Sequence, residues 1–281
     1  MGNIIDAIYN IVSHHQYILK EYGYDGNRAT SRGVSLEEYI KDAFAGTIGE
    51  SDNELRDEKI SETFSYLGNQ SNPPDSILKG GLAIEVKKIQ NGDSSLALNS
   101  SYPKAKLYSN SHMISKACRD CEEWSEKDML YCVGVVNKSH LSSLAMVYGE
   151  DYCADKETYE RIKTTIKLRV ESIIGVEFAE TKELGRVNSV DPLGITYLRV
   201  RGMWGIENPF KVFRKIYQRD DNYMFNFMAV INHKQLQRLD NMQMLYDLSV
   251  EYENFKIVDI KIPDPNNPAK FKNAVLISYK I

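Results

Sequence analysis

Asp75 and the tripeptide Glu85-Val86-Lys87 place two carboxylates and a lysine within a dozen residues of one another. Between them lie Ile77 and Leu78, the turn signal Gly80-Gly81, and an apolar run over residues 82–86 that reads as a short buried strand. The spacing predicts a hairpin with Asp75 at the start of one strand and Glu85 and Lys87 on the other. Side chains alternate across a strand, so Glu85 and Lys87 share one face and Ile84 and Val86 take the opposite one. Two carboxylates and an ammonium then converge. Carboxylate oxygens are hard ligands suited to Mg²⁺, which keeps several waters and binds phosphate oxygens. A lysine beside such an ion could position or deprotonate a water, or stabilise charge developing on a phosphate. Acid-x-Lys alone is common and is most simply a solvated hairpin. The preceding Pro-Asp, the Gly-Gly turn and the apolar strand give the chemical reading its weight.

The nearest helix that could support this centre covers residues 34–45, where Leu36, Ile40, Ala43 and Phe44 share one side. Glu37 and Glu38 sit in its first turn. Acids there complement exposed backbone amides; alternatively, one of them reaches the Asp75/Glu85 site. Glu37 shares a face with Ile40, Lys41 and Phe44, and Glu38 projects about 100° away.

A second group of residues suits a polyanion. Ser101 and Lys104, in the polar run after residue 90, are phosphate-contact types, although a solvated loop explains them equally. Lys182, Arg186, Arg199 and Arg201 mark a basic region broken by turn residues. A strand over residues 195–200 puts Arg199 and Arg201 on one face, where they could bridge guanine acceptors or adjacent phosphates. Gly202-Met203-Trp204-Gly205 reads as a compact turn whose ring packs beneath them. The plainer alternative is a surface strand with snorkelling arginines.

The remaining elements follow from periodicity. Residues 1–22 begin as a helix that either continues through 17–22 or restarts there, and 51–59 reads as a charged surface segment. Residues 90–101 form a polar loop. Strands are predicted at 128–136 and 144–148, joined by a turn holding His140. Tyr159, Ile162, Ile166, Val170 and Ile173 form an apolar stripe, so 156–174 is predicted to be a long helix covering a sheet and stopped by Gly175. Lys163, Lys167 and Arg169 lie on its polar side. Asn208-Pro209 is a helix start, followed by adhesive Phe210, Val212, Phe213 and Ile216. Strands are expected at 223–231, 255–262 and 274–281. Alternating helix and strand favours an α/β fold.

At 281 residues the chain can bury one large core or two smaller ones. Its formal net charge of -4 excludes a generally basic nucleic-acid binder but leaves room for a locally positive cleft. No secretory signal and no bilayer-length apolar run occur, so a soluble, cytoplasmic protein is expected. Cys118 and Cys121 have half a zinc spacing that Cys132 and Cys153 could complete, but unliganded thiols in a reducing compartment are the simpler expectation. There is no P-loop, dinucleotide fingerprint, nucleophile elbow or zinc-protease motif.

Pro74-Asp75 with Glu85-Val86-Lys87 resembles the motif of the restriction-endonuclease-like nucleases. The resemblance extends over Leu36-Glu37-Glu38-Tyr39-Ile40-Lys41-Asp42, residues 60–69, 72–88, 98–104, 118–131 and 148–153, and Val190-Asp191-Pro192-Leu193-Gly194 through Trp204-Gly205. Over this text the chain looks like a bacterial family of type II restriction endonucleases that cuts GGCC sites. The resemblance implies an α/β, restriction-endonuclease-like core with a central mixed β-sheet flanked by helices. It is taken as one domain over 1–281, with a catalytic core at about 30–180 and a DNA-recognition region at about 181–240. It further implies that Asp75 and Glu85 bind Mg²⁺, that Lys87 orients water or stabilises the transition state, and that a helical glutamate, Glu37 or alternatively Glu38, supports them. The expected products carry 5′-phosphates. A palindromic duplex is most readily cut by a two-fold homodimer, and a functionally paired DNA methyltransferase is expected. Guanine-rich recognition suits Arg199 and Arg201, with Arg186 and Lys182 behind them, Trp204 shaping the surface, and Lys104 and Ser101 on phosphates. The alternatives are a repair or mobile-element nuclease, a non-cleaving DNA-binding module, and an interaction domain built on Phe210 and Phe213.

Overall fold

The computed structural model describes residues 2–19, 28–181 and 183–281, with residues 28–34 described by their backbone alone. Helix α1 (Ile4–His14) starts at a capping box, in which the Asn3 side chain accepts from the Ile5 amide and Asp6 accepts from the Asn3 amide. Its Ile4, Ile5, Ile8, Ile11 and Val12 are fully buried, each contributing about 1.5–3 kcal/mol by leaving water. Residues 17–19 are extended rather than helical: the Leu19 amide donates to the Ser139 carbonyl and the Leu141 amide to the Tyr17 carbonyl, both at 2.8 Å. Residues 20–22 of the expected helix lie outside the described residues. Helix α2 (Arg28–Ala45) buries Leu36, Ile40, Ala43 and Phe44 and ends at Gly46, whose φ of 70° suits glycine. The expected charged segment at 51–59 does lie at the surface, and it forms the greater part of helix α3 (Asn53–Thr63). Asp52 caps it by accepting from the Glu54 and Leu55 amides, and Ile60 is its buried residue. It carries too little apolar periodicity to be read from sequence.

The chain then forms β1 (Phe64–Tyr66), β2 (Ser76–Leu78), β3 (Ala83–Ile89), β4 (Leu96–Asn99), β5 (Lys106–Tyr108), the short α4 (Lys116–Arg119), β6 (Glu126–Asn137), β7 (His140–Tyr148) and the short α5 (Gly149–Tyr152). Helix α6 (Lys156–Val170) leads into β8 (Glu177–Phe178), β9 (Gly185–Asn188), β10 (Leu198–Val200) and β11 (Trp204–Ile206). There follow α7 (Pro209–Val212), β12 (Asn226–Asn232), α8 (His233–Leu236), α9 (Gln243–Glu251), β13 (Lys256–Asp264) and β14 (Asn267–Lys280). The central sheet runs β1-β2-β3-β6-β7-β12-β14-β13, with β5 paired to the start of β6. β3 is parallel to β6 and β12 is parallel to β7, while the other pairs are antiparallel, so the sheet is mixed.

Helices flank the sheet. On one face α1, α2 and α9 cover Ile84, Val86, Leu130, Cys132, Met146, Phe227 and Ile231. On the other, Phe210, Phe213, Tyr217 and Tyr152 cover Met129, Tyr131, Val133, Val147 and Met228. Phe210 and Phe213 are thus core residues of this chain, not an exposed adhesive face. Cys132 belongs to the first face, while Cys118 and Cys153 belong to the second. All four thiols are free.

Four further expectations are corrected. The polar run at 90–101 contains β4, which pairs with β11, so Trp204 lies in a strand and not in a compact turn. His140 opens β7, because the turn is confined to Lys138 and Ser139. Residues 241–254, for which no element was expected, hold α9, whose Leu245 and Leu248 are buried. Helix α6 stops at Val170 and does not cover the sheet. None of its residues is buried, Ile162 and Ile166 are exposed, and Lys156, Tyr159, Lys163 and Lys167 occupy its less exposed side. No helix among the described residues is long and apolar enough to cross a membrane.

Candidate active site

The β2–β3 hairpin is held from several sides. The Asp75 amide donates to the Ile84 carbonyl at 3.0 Å, and Leu78 and Leu82 close the turn through a 2.9 Å bond. Beneath the turn, the Gly80 amide donates to Glu122 at 3.0 Å and Lys127 donates to the Gly81 carbonyl at 2.9 Å. Gly68 crosses so close to Asp75 that a Cβ there would lie 2.2 Å from the Asp75 carbonyl oxygen. Its φ of 82° also favours glycine.

These restraints bring the three expected groups together. The Val86 amide donates to Asp75 Oδ2 at 2.6 Å, fixing Asp75 across the strand that carries Glu85 and Lys87. Lys87 Nζ stands 2.7 Å from Glu85 Oε1 and 3.9 Å from Asp75 Oδ2. Glu85 Oε2 is buried with no hydrogen-bond partner among the described residues. Burial, then the neighbouring Glu85 carboxylate, pushes the Asp75 carboxyl up to about 8. Burial works against the Lys87 ammonium, but Glu85 and Asp75 outweigh it and hold the group above the ordinary lysine range.

Adjacent glutamates on α2 have different surroundings. Burial raises the Glu37 carboxyl, Lys41 and Lys87 pull it down, and Glu85 is among the charges it feels. Glu37 is therefore in the field of the cluster. Glu38 instead binds Lys41 at 2.8 Å and Arg56 of α3 at 2.7 Å. Burial raises Glu38 too, but these hydrogen bonds outweigh it and hold the carboxyl below its usual range.

Among the described residues, no group of three or more His, Cys, Asp or Glu side chains is drawn around one point. The Asp75 and Glu85 oxygens nevertheless suit a hard divalent cation. One Glu85 oxygen is buried and unpaired, and Lys87 engages the other, so the unpaired oxygen beside half-buried Asp75 is left to accept a cation.

A second lysine reaches this field. Lys104 donates through Nζ to the Ser101 hydroxyl and, at 3.3 Å, to the Tyr102 carbonyl. Its amide donates to the hydroxyl of Tyr131, the residue opposite Glu85 in the β3–β6 register, at 2.7 Å. Burial lowers the Lys104 ammonium, with Glu85 and Lys87 acting on it in opposite directions.

On the β9–β10 hairpin, Arg199 and Arg201 do point together, and Glu183 joins them. Arg199 Nη2 and Arg201 Nε each lie 2.6 Å from Glu183 Oε1. Glu183 was missed; an acid flanking a basic strand pair is the signal that could have found it. Arg186 lies opposite Arg199 and stacks 4.9 Å over the Tyr197 ring. Lys182 lies outside the described residues. Trp204 does not pack beneath the arginines. It makes edge contacts with Tyr102 at 6.1 Å and Tyr159 at 5.7 Å, two rings that sequence reasoning also missed.

A family model described as NgoPII restriction endonuclease matches residues 2–263. The chain is 53% identical over 280 residues to a type II restriction enzyme, NgoPII, from Neisseria gonorrhoeae, covering 99% of this chain and 100% of that protein. No solved structure matches the chain.

Proposed function

The chain belongs to the NgoPII restriction endonuclease family, and on that premise we propose that it is a type II site-specific deoxyribonuclease that hydrolyses duplex DNA at GGCC. The observation that carries the chemistry is the convergence of Asp75, Glu85 and Lys87 on one hairpin. Asp75 and Glu85 would hold Mg²⁺, with Glu37 at the edge of the site. When bound, the ion supplies Lewis-acid polarisation and neutralises charge on the phosphate. Lys87, held charged by its two carboxylates, donates hydrogen bonds: it orients the attacking water and stabilises negative charge developing at phosphorus. Water adds to phosphorus in line, the bond to the 3′ oxygen breaks, and the new ends carry a 5′-phosphate and a 3′-hydroxyl.

Residues at about 30–180 act as the catalytic core and about 181–240 as the recognition region. Arg199 and Arg201 read guanine O6 and N7, Arg186 and Lys182 support them, and Trp204 shapes the surface. Ser101 and Lys104 contact phosphate. Two copies in two-fold symmetry cut both strands of the palindrome, and a DNA methyltransferase of matching specificity protects the host. Sequencing the fragment ends, and ligating them without added kinase, tests site and end chemistry together. GGCC at every end with efficient ligation supports the reading. Ends without a common sequence would reassign the chain to repair or mobile-element processing.

A further inference from the structure

Two cavities, of about 430 Å³ and 250 Å³, share Ser100, His112, Met113 and Lys163 in their walls and so form one groove. At one end are Ser101 and Lys104, in the field of Glu85 and Lys87. At the other are Arg201 and Trp204, together with Asn72, three residues before Asp75. The groove thus joins the loop of Ser101 and Lys104, whose amide is held by Tyr131 opposite Glu85 in the β3–β6 register, to Arg201 just beyond β10; Glu157, Glu160 and Glu183 also line it. Lys163 stands at its junction.

Helix α6 delivers Lys163 there because it turns its less exposed, lysine-bearing side inward and leaves Ile162 and Ile166 exposed. Its neighbouring lysines are compensated: Lys156 pairs with Glu160 at 3.5 Å and Lys167 with Glu171 at 3.6 Å. Lys163 is denied such a partner by its helix. Tyr159 and Lys167 occupy the positions four residues away, and Glu160 is engaged by Lys156 and by the Tyr102 hydroxyl at 3.1 Å. Among the described residues the Lys163 ammonium has no ion pair. An uncompensated ammonium midway along such a groove suits a backbone phosphate, which binds a flexible point charge without demanding fixed geometry.

We propose that Lys163 anchors a backbone phosphate of the duplex between the recognition strand and the cleavage centre, and so positions the scissile bond without reading sequence. This rests on the DNA-cleavage reading above. Lys163 is a positioning residue; it touches no reacting atom.

The test is duplex affinity in EDTA across about 50–200 mM salt, on wild type, Lys163→Ala and Lys163→Arg, with thermal melting as the folding control. Lys163→Ala should weaken GGCC and non-GGCC duplexes alike, by about three- to tenfold, and flatten the salt slope by about one. Lys163→Arg should restore both. In Mg²⁺ the Ala variant should raise KM and also slow single-turnover cleavage at saturating DNA, because the scissile bond is held less well. An unchanged affinity and slope in a folded Ala variant overturns the proposal while the cleavage reading stands. A loss confined to GGCC duplexes overturns it as well, because it would make Lys163 a base reader. A wild type that binds no duplex removes both readings.

Discussion

The Lys87 ammonium stands 2.7 Å from one oxygen of Glu85, while the other oxygen of that carboxylate is buried with no hydrogen-bond partner among the described residues. A buried, unpaired carboxylate oxygen is costly, and on the proposed function that cost serves a bound cation and a reacting phosphate. Removing the lysine should therefore affect chemistry more than binding. Lys87→Ala should lower the single-turnover cleavage rate by about 10²–10⁴-fold with duplex affinity nearly unchanged. An equal fall in both, measured by quench-flow and titration, would make Lys87 a binding group.

Asp75 gives a pH signature. Its folded-state value, about 8, lies above its ordinary 3.8. A carboxyl raised in this way favours the folded state most below its unfolded value, and that advantage is lost as pH climbs through the folded one. The metal-free protein should therefore lose stability from this group between about pH 4 and 8. Asp75→Asn keeps the site neutral. In EDTA its Tm should exceed that of wild type at pH 8, by about 2–4 °C for each kcal/mol recovered, and the gap should close toward pH 5. A gap that widens toward low pH would contradict the burial of Asp75 beside Glu85.

The adjacent glutamates of α2 should separate by phenotype. Glu38 ties α2 to Arg56 of α3, so Glu38→Ala should cost about 1–2 kcal/mol of stability. Glu37 feels the charges of Lys87 and Glu85, so on the proposed function Glu37→Gln should slow cleavage and leave the melting curve nearly unchanged. Denaturant titration paired with rate measurement checks both, and the reverse assignment would show that Glu38 is the residue serving the site.

How far these details could be read in advance depends on how local they are. The Asp75–Lys87 hairpin was legible because a Gly-Gly turn and two-residue alternation decide it within a dozen residues. The choice between Glu37 and Glu38 was not, because it turns on Arg56, which reaches Glu38 from a helix with little apolar periodicity. On α6 the apolar stripe splits, with Tyr159 and Val170 half-buried and Ile162 and Ile166 exposed. Periodicity says which residues share a face, not what neighbour that face will meet. Trp204 depended likewise on a pairing with residues 96–99, about a hundred positions upstream.

Arg199 and Arg201, gathered by Glu183, should divide binding from specificity. If each reads a guanine, Arg199→Ala and Arg201→Ala should cost about 1–3 kcal/mol on GGCC duplexes and much less on others. Competition binding against duplexes with single substitutions in the site measures this. Uniform weakening would assign the pair to phosphates.

On the proposed function, the Asp75–Glu85–Lys87 centre performs metal-dependent cleavage at a defined site. The most direct measurement is digestion of a mapped plasmid by the wild-type chain with Mg²⁺, with and without EDTA. Discrete fragments ending at GGCC, abolished by EDTA, are the predicted result. Intact plasmid from folded protein across Mg²⁺, Mn²⁺ and other divalent ions would contradict it.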